Sequence, residues 1–475
     1  MHRRVWIAGT AAAALLVFGA TAFFAVPNPT ARRAQDPEEP PNGKPAPKLL
    51  PPPGSRITSG DVDLKQFNGI IGELVACGTR NTLSSWTDAG RGIGCGRTHI
   101  ADRLQAISKA TGGLLKLNVD RFQASAARTG GKNVPLENVV AILPGSDEAL
   151  SKTALVVSGH FDSIPSNPMD ASTDAPGADD DASGVAVSLE CARLLTSRRP
   201  TAGYRASLIF AAVSGEEQGL LGSAHLVEYL RQQGYKVSGM LDNDIVGADF
   251  APGAPHRVRV FSASAEDGAD TPSRELARAV EEIDSPDAVR LIFRLDRLGR
   301  GGDHIPFVQA GLPAVRFTEP LENYHHEHQT PRTENGVQYG DLPQYLNLEF
   351  LASVVRDNAE ALRELALAPE APQDVILSGG VTPNAVLGWQ AASDPDRAGF
   401  EILWRETTAP RWSVYDTVPQ GHEYVLTGVS TDNHFFAVRS VGANGARSIA
   451  VPAAPKMRRL SSAPASAPAG SRSSP

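Results

Sequence analysis

Hydrophobic and polar positions alternate in two different ways along the central part of the chain, between residues 138 and 367. Short continuous apolar runs predict buried strands, and apolar residues repeated every three or four positions predict amphipathic helices. The predicted strands are 138–143, 154–158, 206–213, a segment leading into 242, and 258–261. The predicted helices are 182–197, 222–233, 273–283 and 343–367. This alternation predicts an α/β fold, a mixed and mostly parallel sheet with helices on both faces.

The pattern changes on either side of this block. Before it, helical patterning begins at Asp61 and again near Thr98, and the stretch 77–82 between them has no readable pattern. After Pro369, short alternating strands separated by turn residues predict a small all-β sandwich over 370–454. The final residues, 455–475, are rich in Ser, Ala and Pro, a composition typical of a disordered tail.

The first 26 residues have the pattern of a targeting segment. Basic residues at 3 and 4 precede an apolar run from Val5 to Val26, which reaches the roughly 20 residues needed to span a bilayer. We therefore expect residues 1–26 to be a signal peptide or a membrane anchor. The protein would be exported, either secreted or periplasmic, or held at the outer face of the cytoplasmic membrane by residues 5–26. Residues 27–55 are rich in proline and predict a linker or pro-segment.

Chain length and net charge limit the domain organisation and the class of partner. A chain of 475 residues predicts two folded domains plus tails, here 56–368 and 370–454. The net charge of −8 argues against nucleic acid as a partner, because phosphate binding requires a basic face. Export permits a disulfide, and Cys77 with Cys95 would close a short loop. The third cysteine, Cys191, lies on the apolar side of a predicted helix and is expected to be a buried hydrophobic residue.

Acidic residues and a histidine follow two of the predicted strands. His160 and Asp162 come after one strand, Glu216 and Glu217 come after another, and three aspartates at 179–181 precede a helix. The carboxyl ends of strands in an open α/β sheet are the usual place for ligands. A histidine with several carboxylates and no thiolate suits zinc or another divalent cation, and manganese or cobalt could also use this set in vitro.

Two divalent cations would need a bridging carboxylate, a histidine and a carboxylate for each ion, and an open position for water. The chain offers this set, with Asp242 or Asp244 after a further strand and several histidines in the loop 323–331. Adjacent Glu216 and Glu217 point in different directions. One of them can therefore ligate metal while its neighbour acts as a general base.

These residues resemble the secreted di-zinc aminopeptidases of metallopeptidase family 28. The resemblance covers roughly residues 60–367. Its motifs are His-Phe-Asp at 160–162, Gly-Ala-Asp-Asp-Asp-Ala-Ser-Gly at 177–184, Glu-Glu-Gln-Gly-Leu-Leu-Gly-Ser at 216–223, Asp-Ile-Val-Gly at 244–247, and a histidine in the late loop. A segment at 302–307, Gly-Asp-His-Ile-Pro-Phe, looks like the family's non-ligand Asp-His segment.

The resemblance implies a role for each motif residue. The implied metal ligands are His160, Asp180, Glu217, Asp244 and His328, with Asp180 bridging two zinc ions. Glu216 would activate the bridging water, and Asp162 would orient the ring of His160. The motif selects Asp180 over its two neighbours, Asp244 over Asp242, and His328 over His325 and His326. It also implies a cis peptide bond between Asp180 and Asp181.

The resemblance implies an aminopeptidase that hydrolyses N-terminal residues from peptides with a free N-terminus. Relatives with the same fold include carboxypeptidases, dipeptide or amide hydrolases and single-zinc glutaminyl cyclases, so these remain alternatives. The C-terminal sandwich resembles a fibronectin type III module, with His434 where that family has a tyrosine. This module is a candidate for contact with cell-surface or polymeric material. A non-catalytic surface-binding protein is the alternative from a different functional class.

Overall fold

The computed structural model describes residues 56–249, 257–263, 270–284 and 288–456. The predicted signal or anchor (1–26), the proline-rich segment (27–55) and nearly all of the tail (455–475) lie outside these described residues. Within the described ranges, no helix has both the length and the continuous apolarity that a bilayer crossing requires.

An eight-stranded mixed sheet forms the centre of the larger domain, in the order β1-β2-β4-β3-β5-β8-β6-β7. The strands are β1 (Lys116–Ala124), β2 (Val134–Leu143), β3 (Thr153–His160), β4 (Ser207–Val213), β5 (Lys236–Asn243), β6 (Val258–Phe261), β7 (Val289–Ile292) and β8 (Ala314–Thr318). The central strands β4, β3, β5 and β8 are parallel neighbours, and antiparallel pairs occur further out. The predicted α/β fold with a mixed, mostly parallel sheet is confirmed.

Helices cover both faces of this sheet. They are α1 (Leu64–Ala76), α2 (Ile93–Ala110), α3 (Ala182–Ser197), α4 (Leu221–Gln232), α5 (Pro272–Asp284), α6 (His304–Gln309) and α7 (Leu348–Leu367). One face packs in a large core with α1, α2, α3, α5 and α7, and the other packs with α4 and α6. Successive side chains of β3 pack in opposite cores: Val157 lies in the first and Val156 in the second. The reason is that neighbouring side chains of a strand point to opposite faces of the sheet.

Several boundaries differ from the sequence prediction. Helix α2 begins at Ile93 rather than near Thr98, and α7 begins at Leu348 rather than at 343. The side chain of Asn347 accepts hydrogen bonds from the first backbone N–H groups of α7, which is the reason that the helix starts there. Strand β1 was not predicted, because its mixed polar composition suits a half-exposed edge strand and has no continuous apolar run.

Strand β3 and helix α3 approach each other closely beside the strand end. A Cβ atom added to Gly159 would lie 2.4 Å from the carbonyl carbon of Gly184, so glycine is required where the two backbones meet. The side chain of Asp181 caps α3 by accepting a hydrogen bond from the N–H of Gly184. This close contact places the start of α3 directly against the carboxyl end of β3.

The C-terminal part consists of two four-stranded sheets. Its strands are β11 (Gln373–Ser378), β12 (Asn384–Gln390), β13 (Arg397–Glu406), β14 (Ser413–Val418), β15 (Glu423–Thr427), β16 (His434–Gly442), β17 (Val451–Pro452) and β18 (Ala454–Pro455). A short hairpin of the larger domain, β9 (Arg332–Glu334) and β10 (Val337–Tyr339), precedes them in the chain. Trp389 and Phe400 pack edge to face in the core between the two sheets. The predicted all-β architecture of this part is confirmed, although β11, β14 and the two-residue strands β17 and β18 were missed.

Candidate metal centre

The candidate ligands lie at the carboxyl edge of the central parallel strands. β3 ends at His160, and Asp244 directly follows the end of β5. Glu217 lies in the loop after β4. The last residue of β4, Val213, lies beside His160 in the parallel register. Asp180 precedes α3, and His328 lies in the loop before β9. Because parallel strands end at the same edge, residues far apart in the sequence meet there.

The five side chains form two triads that share one aspartate. In the first, Nε2 of His160 lies 3.2 Å from Oδ1 of Asp180 and 3.7 Å from Oδ1 of Asp244. In the second, Nε2 of His328 lies 2.9 Å from Oδ2 of Asp180 and 3.2 Å from Oε1 of Glu217. The ligand atoms of each triad lie within 4.8 Å of one another. Asp180 therefore presents one carboxylate oxygen to each triad.

The donor atoms fit zinc. Oε1 of Glu217 and Oδ1 of Asp244 are buried and have no hydrogen-bond partner, so each triad contains a carboxylate oxygen available to a cation. Imidazole nitrogen and carboxylate oxygen are ligand types that zinc prefers in proteins. A buried carboxylate oxygen without a hydrogen bond is costly, and a bound cation would offset that cost.

The other two aspartates of the 179–181 run have different partners. Oδ1 of Asp179 accepts the N–H of Gly247, and Asp181 accepts the N–H of His160 at 2.9 Å in addition to capping α3. The peptide bond between Asp180 and Asp181 is cis. Of the three aspartates, Asp180 is the one that faces both triads.

The competing residues of the later motifs also point elsewhere. Oδ2 of Asp242 lies 3.3 Å from Nδ1 of His304, and Asp242 belongs to neither triad. The ring of His325 stacks on Tyr339, and the ring of His326 stacks on Tyr345 at a centroid distance of 3.7 Å. Neither belongs to a triad, whereas His328 does.

Comparison with known proteins places the chain among zinc proteases. Residues 138–342 match the model of "Peptidase family M28". A probable zinc metalloprotease of Pyrenophora teres f. teres is 37% identical over 433 residues, which cover 85% of this chain and 88% of that protein. A second one, from Leptosphaeria maculans, is 39% identical over 414 residues, covering 82% and 94%. The chain belongs to peptidase family M28. It is a zinc metalloprotease of that family, and the donor atoms of the two triads fit zinc.

Solved structures similar to this M28 protease include LapB from Legionella pneumophila. That structure has 20% sequence identity and a TM-score of 0.49, covering 65% of this chain and 74% of its own. An aminopeptidase from Aneurinibacillus sp. strain AM-1 has 16% identity and a TM-score of 0.47, covering 64% and 94%.

The M28 centre contains more carboxylates than cationic side chains. Burial opposes the charged form of His160, but the nearby carboxylates of Asp162, Asp180 and Asp244 outweigh it and raise the pKa of the imidazole well above its usual value. The negative charge of Glu217 is the main cause that raises the pKa of His328, against the effect of burial. The carboxylates thus attract positive charge at both imidazoles, and zinc binding would compete with protons there.

Glu216 lines the same M28 centre beside Glu217. Its side chain is partly exposed, yet the surrounding protein is close enough that burial raises the pKa of its carboxyl group well above the usual range. The charge on His160 opposes this rise, and the nearby Glu217 and Asp244 add to it. A carboxyl group with a raised pKa next to the ligands is suited to accept and return a proton.

Asp162 connects the loops that carry these residues. Its side chain is completely buried. Nδ1 of His160 lies 3.2 Å from the backbone carbonyl oxygen of Asp162 and 3.6 Å from its Oδ1. The N–H groups of Glu216 and Glu217 each lie 3.2 Å from one of its oxygens. The hydroxyl of Thr82 donates to Oδ2 at 3.1 Å. Asp162 is therefore a positioning residue that holds the histidine and both glutamates in register.

Arg80 belongs to the stretch 77–82 that the sequence did not explain. It is fully buried, and its guanidinium donates to the carbonyl oxygens of Phe161, Pro176 and Gly177 at 2.7, 2.5 and 2.8 Å. Burial lowers the pKa of Arg80 to about 10, while nearby aspartates oppose the shift. Arg80 thus clamps two motif loops of the M28 domain. No periodicity could have identified a single buried arginine.

A disulfide and a further aspartate complete this framework. Cys77 and Cys95 are joined by a disulfide, which ties the Arg80 stretch to α2. Asp341 accepts the N–H groups of Asp179, at 2.9 Å, and of Asp180, at 2.7 Å. Sequence reasoning did not identify Asp341, because it lies far from Asp180 in the chain and in no recognised motif. The predicted buried position of Cys191 is confirmed.

Proposed function

We propose that this M28 protease is an exported aminopeptidase that uses two zinc ions to hydrolyse the N-terminal peptide bond of peptides. The observation that carries the proposal is the position of Asp180, with Oδ1 facing one triad and Oδ2 facing the other. A carboxylate shared in this way is what a pair of adjacent cations requires. One ion would be held by His160, Asp180 and Asp244, and the other by Asp180, Glu217 and His328.

The chain's own residues supply the proton transfers. Zinc held by these residues would lower the pKa of a bound water and polarise the scissile carbonyl group. The carboxylate of Glu216 accepts a proton from the attacking water and returns it to the nitrogen of the leaving amine. Asp162 keeps Glu216 beside Glu217 through the two backbone hydrogen bonds described above.

The charge beside the centre supports recognition of a free α-amino group. Asp179 and Glu319 form a buried carboxyl pair next to Asp180, in which burial raises the pKa of Asp179 to about 7 and that of Glu319 well above its usual value. The nearby cation Arg300 is paired with Glu322 and Glu327, at 2.5 and 2.8 Å. An ammonium group suits surroundings with more carboxyl groups than cations, and its charge would favour the ionised forms of Asp179 and Glu319.

The test uses the full chain and two peptides that differ only at the N-terminus. We expect about two zinc ions per chain and release of free amino acid only from the peptide with a free amine. Equal cleavage of the acetylated peptide, or release from the C-terminal end, would instead support a carboxypeptidase or another amide hydrolase of this fold. A single ion with cyclisation of N-terminal glutamine would support a cyclase.

Export and the role of the C-terminal sheets are further parts of the proposal. The targeting pattern of residues 1–26 supports export. Cell fractionation tests this part of the proposal, and the protein should be found outside the cytoplasm of the cell that makes it. The division of the strands into the sheets β15-β12-β11-β18 and β14-β13-β16-β17 supports a fibronectin type III-like Greek key. Sedimentation of the full chain with cell-wall polymers tests the proposed surface contact. Substitutions of exposed sandwich residues such as Val381 and Val425 should weaken that binding.

A further inference from the structure

A third group of potential metal ligands lies outside the two triads, where α1 meets α2. It consists of Cys77, Cys95 and His99, whose two sulfur atoms and one ring nitrogen lie within 4.8 Å of one another. Cys77 and Cys95 are joined by a disulfide, so neither sulfur is a ligand while that bond is intact. Reduction of the bond would leave two thiols and an imidazole in one place.

The two helices determine where these three residues lie. Cys77 directly follows the last residue of α1. Cys95 lies in the first turn of α2, and His99 lies four residues further on, so both belong to the same face of that helix. The Cα atoms of the two cysteines are 5.9 Å apart. Two thiolates bound to one zinc ion would be separated by about 3.8 Å, which rotation of the two side chains can reach.

Burial of the group leaves one side open to an ion. Cys77 and Cys95 are buried, with exposed fractions of 0% and 2%, whereas the side chain of His99 is 40% exposed. An ion would therefore enter from the side of His99 and meet the two sulfur atoms on its inner side. Sulfur and imidazole nitrogen are ligands that zinc binds in structural sites, and two thiolates carry the charge that neutralises Zn²⁺.

The charged side chains around the group make its affinity for zinc depend on the thiolates. Oε2 of Glu73 lies 3.8 Å from Nδ1 of His99, and Arg103 donates to both oxygens of Glu73, at 3.0 and 2.6 Å. Glu73 can thus orient the imidazole, and water would be the fourth ligand. Arg91 and Arg80 lie against the glycines that follow the two cysteines. Their positive charge favours thiolates and opposes a cation that has no thiolate partner.

We propose that reduction of the disulfide between Cys77 and Cys95 turns this position into a zinc site, with the two thiolates and His99 as its protein ligands. A dithiol reductant supplies two electrons and two protons, so that it becomes a disulfide while the two cysteines become thiols. Zinc binding then releases both thiol protons to solvent, because the thiolate is the form that binds metal. The inference is independent of the two-ion centre and of the proposed peptidase activity.

The zinc ion would replace the disulfide as the link between α1 and α2. The residues that follow Cys77 contact the motif loops, since Arg80 donates to the carbonyl oxygens of Phe161 and Gly177 and Thr82 donates to Asp162. A chain that has not yet formed its disulfide would therefore keep these contacts in place through zinc. Disulfides and structural zinc sites both stabilise a fold by joining segments that are separate in the sequence.

The experiment compares the zinc content of the full chain before and after reduction with a phosphine, which competes for zinc less than a dithiol does. The phosphine takes the oxygen of water and becomes a phosphine oxide, while the disulfide becomes two thiols. We expect the reduced chain to hold one zinc ion more than the oxidised chain. With Co²⁺ in place of zinc, the reduced chain should show a sulfur-to-cobalt charge-transfer band, which nitrogen and oxygen ligands do not produce.

His99→Asn is the decisive variant, because this side chain is partly exposed and its substitution leaves both cysteines in place. It should weaken binding of the additional ion by about tenfold or more, since even the outer partners of a metal ligand change affinity by about 10- to 100-fold. Zinc should also raise the urea midpoint of the reduced unsubstituted chain more than that of reduced His99→Asn. Cys191→Ser, which removes the buried free cysteine of α3, is the matched control and should retain the additional ion.

Equal zinc content in the oxidised and reduced chains would overturn the inference. So would a reduced chain whose cobalt spectrum has no sulfur band, or a His99→Asn variant that binds the additional ion as tightly as the unsubstituted chain. These measurements count or identify bound metal and use no peptide substrate. Failure of this inference therefore leaves the proposed aminopeptidase untouched, and failure of the aminopeptidase proposal leaves this site open to the same test.

Discussion

The metal centre is rich in buried charged residues, and so is the interface between the larger domain, at α5, and the C-terminal sandwich, here called the seam. The balance of positive and negative charges differs between the two. At the seam, Arg278 and Arg405 both pair with Asp270, Arg411 pairs with Glu281, and Arg439 joins Glu282 of α5 to the sandwich. At the metal centre, carboxylates outnumber cations, and buried oxygens such as Oε1 of Glu217 remain without a donor.

The pKa values of two glutamates express this difference. Burial alone would raise both. Two arginines, Arg439 and Arg447, outweigh burial at Glu401 and lower the pKa of its carboxyl group. Burial dominates at Glu217, with Asp180 adding to it, and the pKa rises although His328 opposes the shift. Buried positive and negative charges that pair with one another therefore indicate a structural contact. A cluster of buried charges of one sign indicates a ligand-binding site.

The largest effect is expected from Asp180→Asn, which removes the carboxylate charge from both triads at once. Zinc content should fall to a small fraction of that of the unsubstituted chain, and peptide hydrolysis should fall to background. Metal analysis and turnover on a free-amine peptide check this. Glu282→Gln, which neutralises a seam carboxylate instead, is the matched control and should retain both zinc and activity. Full zinc retention in Asp180→Asn would mean that the shared-ligand interpretation is wrong.

The next largest effect is expected from Glu216→Gln, which keeps the shape of the side chain but removes its basicity. Turnover should drop by about 10² to 10⁴, because the attacking water loses its proton acceptor. Zinc content should remain unchanged, since Glu216 belongs to neither triad. Steady-state kinetics and metal analysis on the same preparation separate this outcome from loss of metal. Near-normal turnover would exclude Glu216 as the general base.

Next to the seam, Glu401 of the sandwich holds Arg439, which pairs with Glu282 of α5. Its substitution should lower the free energy of unfolding and leave peptide hydrolysis unchanged. Glu401→Gln removes a fully buried partner of Arg439, with Nε to Oε2 at 2.6 Å, and should cost about 3 kcal/mol of unfolding free energy at pH 7. The folded pKa of Glu401 is lowered, so its stabilising contribution is present above the unfolded pKa of about 4.3 and is lost as pH falls through the folded pKa.

Urea unfolding of the unsubstituted chain and of Glu401→Gln, compared at pH 7 and at pH 3, checks this sign. The difference in unfolding free energy between the two chains should be smaller at pH 3 than at pH 7. A difference that grew on acidification would mean that Arg439 and Arg447 do not control this carboxyl group. Turnover per folded molecule should be the same for both chains at neutral pH.

The smallest of these effects is expected from Trp412→Phe. The indole Nε1 of Trp412 donates to Oε2 of Glu275 at 2.6 Å across the seam, and both residues are buried. Loss of this hydrogen bond leaves a buried oxygen without its donor and should cost about 1 to 3 kcal/mol. Thermal unfolding checks it, and Trp389→Phe, inside the sandwich core, is a comparison that should not alter the docking of the two parts. An unchanged melting temperature in Trp412→Phe would show that this contact does not stabilise the seam.

Sequence patterns predicted the central elements well because their signals are local. The strand before His160 and helix 182–197 are continuous, strongly apolar or periodic segments, and the structure has them at nearly the same bounds. The candidate ligands could be listed for the same reason, since each follows a readable strand or lies in a motif. Half-exposed β1 and the late start of α7 were missed, because an edge strand has no apolar run and a cap such as Asn347 is a single residue.

The amino-acid sequence by itself determined which segments become strands and helices, and which residue types stand at their ends, because hydrophobic periodicity and motif chemistry act between near neighbours. Only the tertiary structure decided that each oxygen of Asp180 faces a different histidine, that Arg80 clamps two motif loops, and that Arg316 occupies one oxygen of Asp244. These contacts join residues tens to more than a hundred positions apart. Their geometry depends on the packing of the whole sheet, which no local pattern encodes.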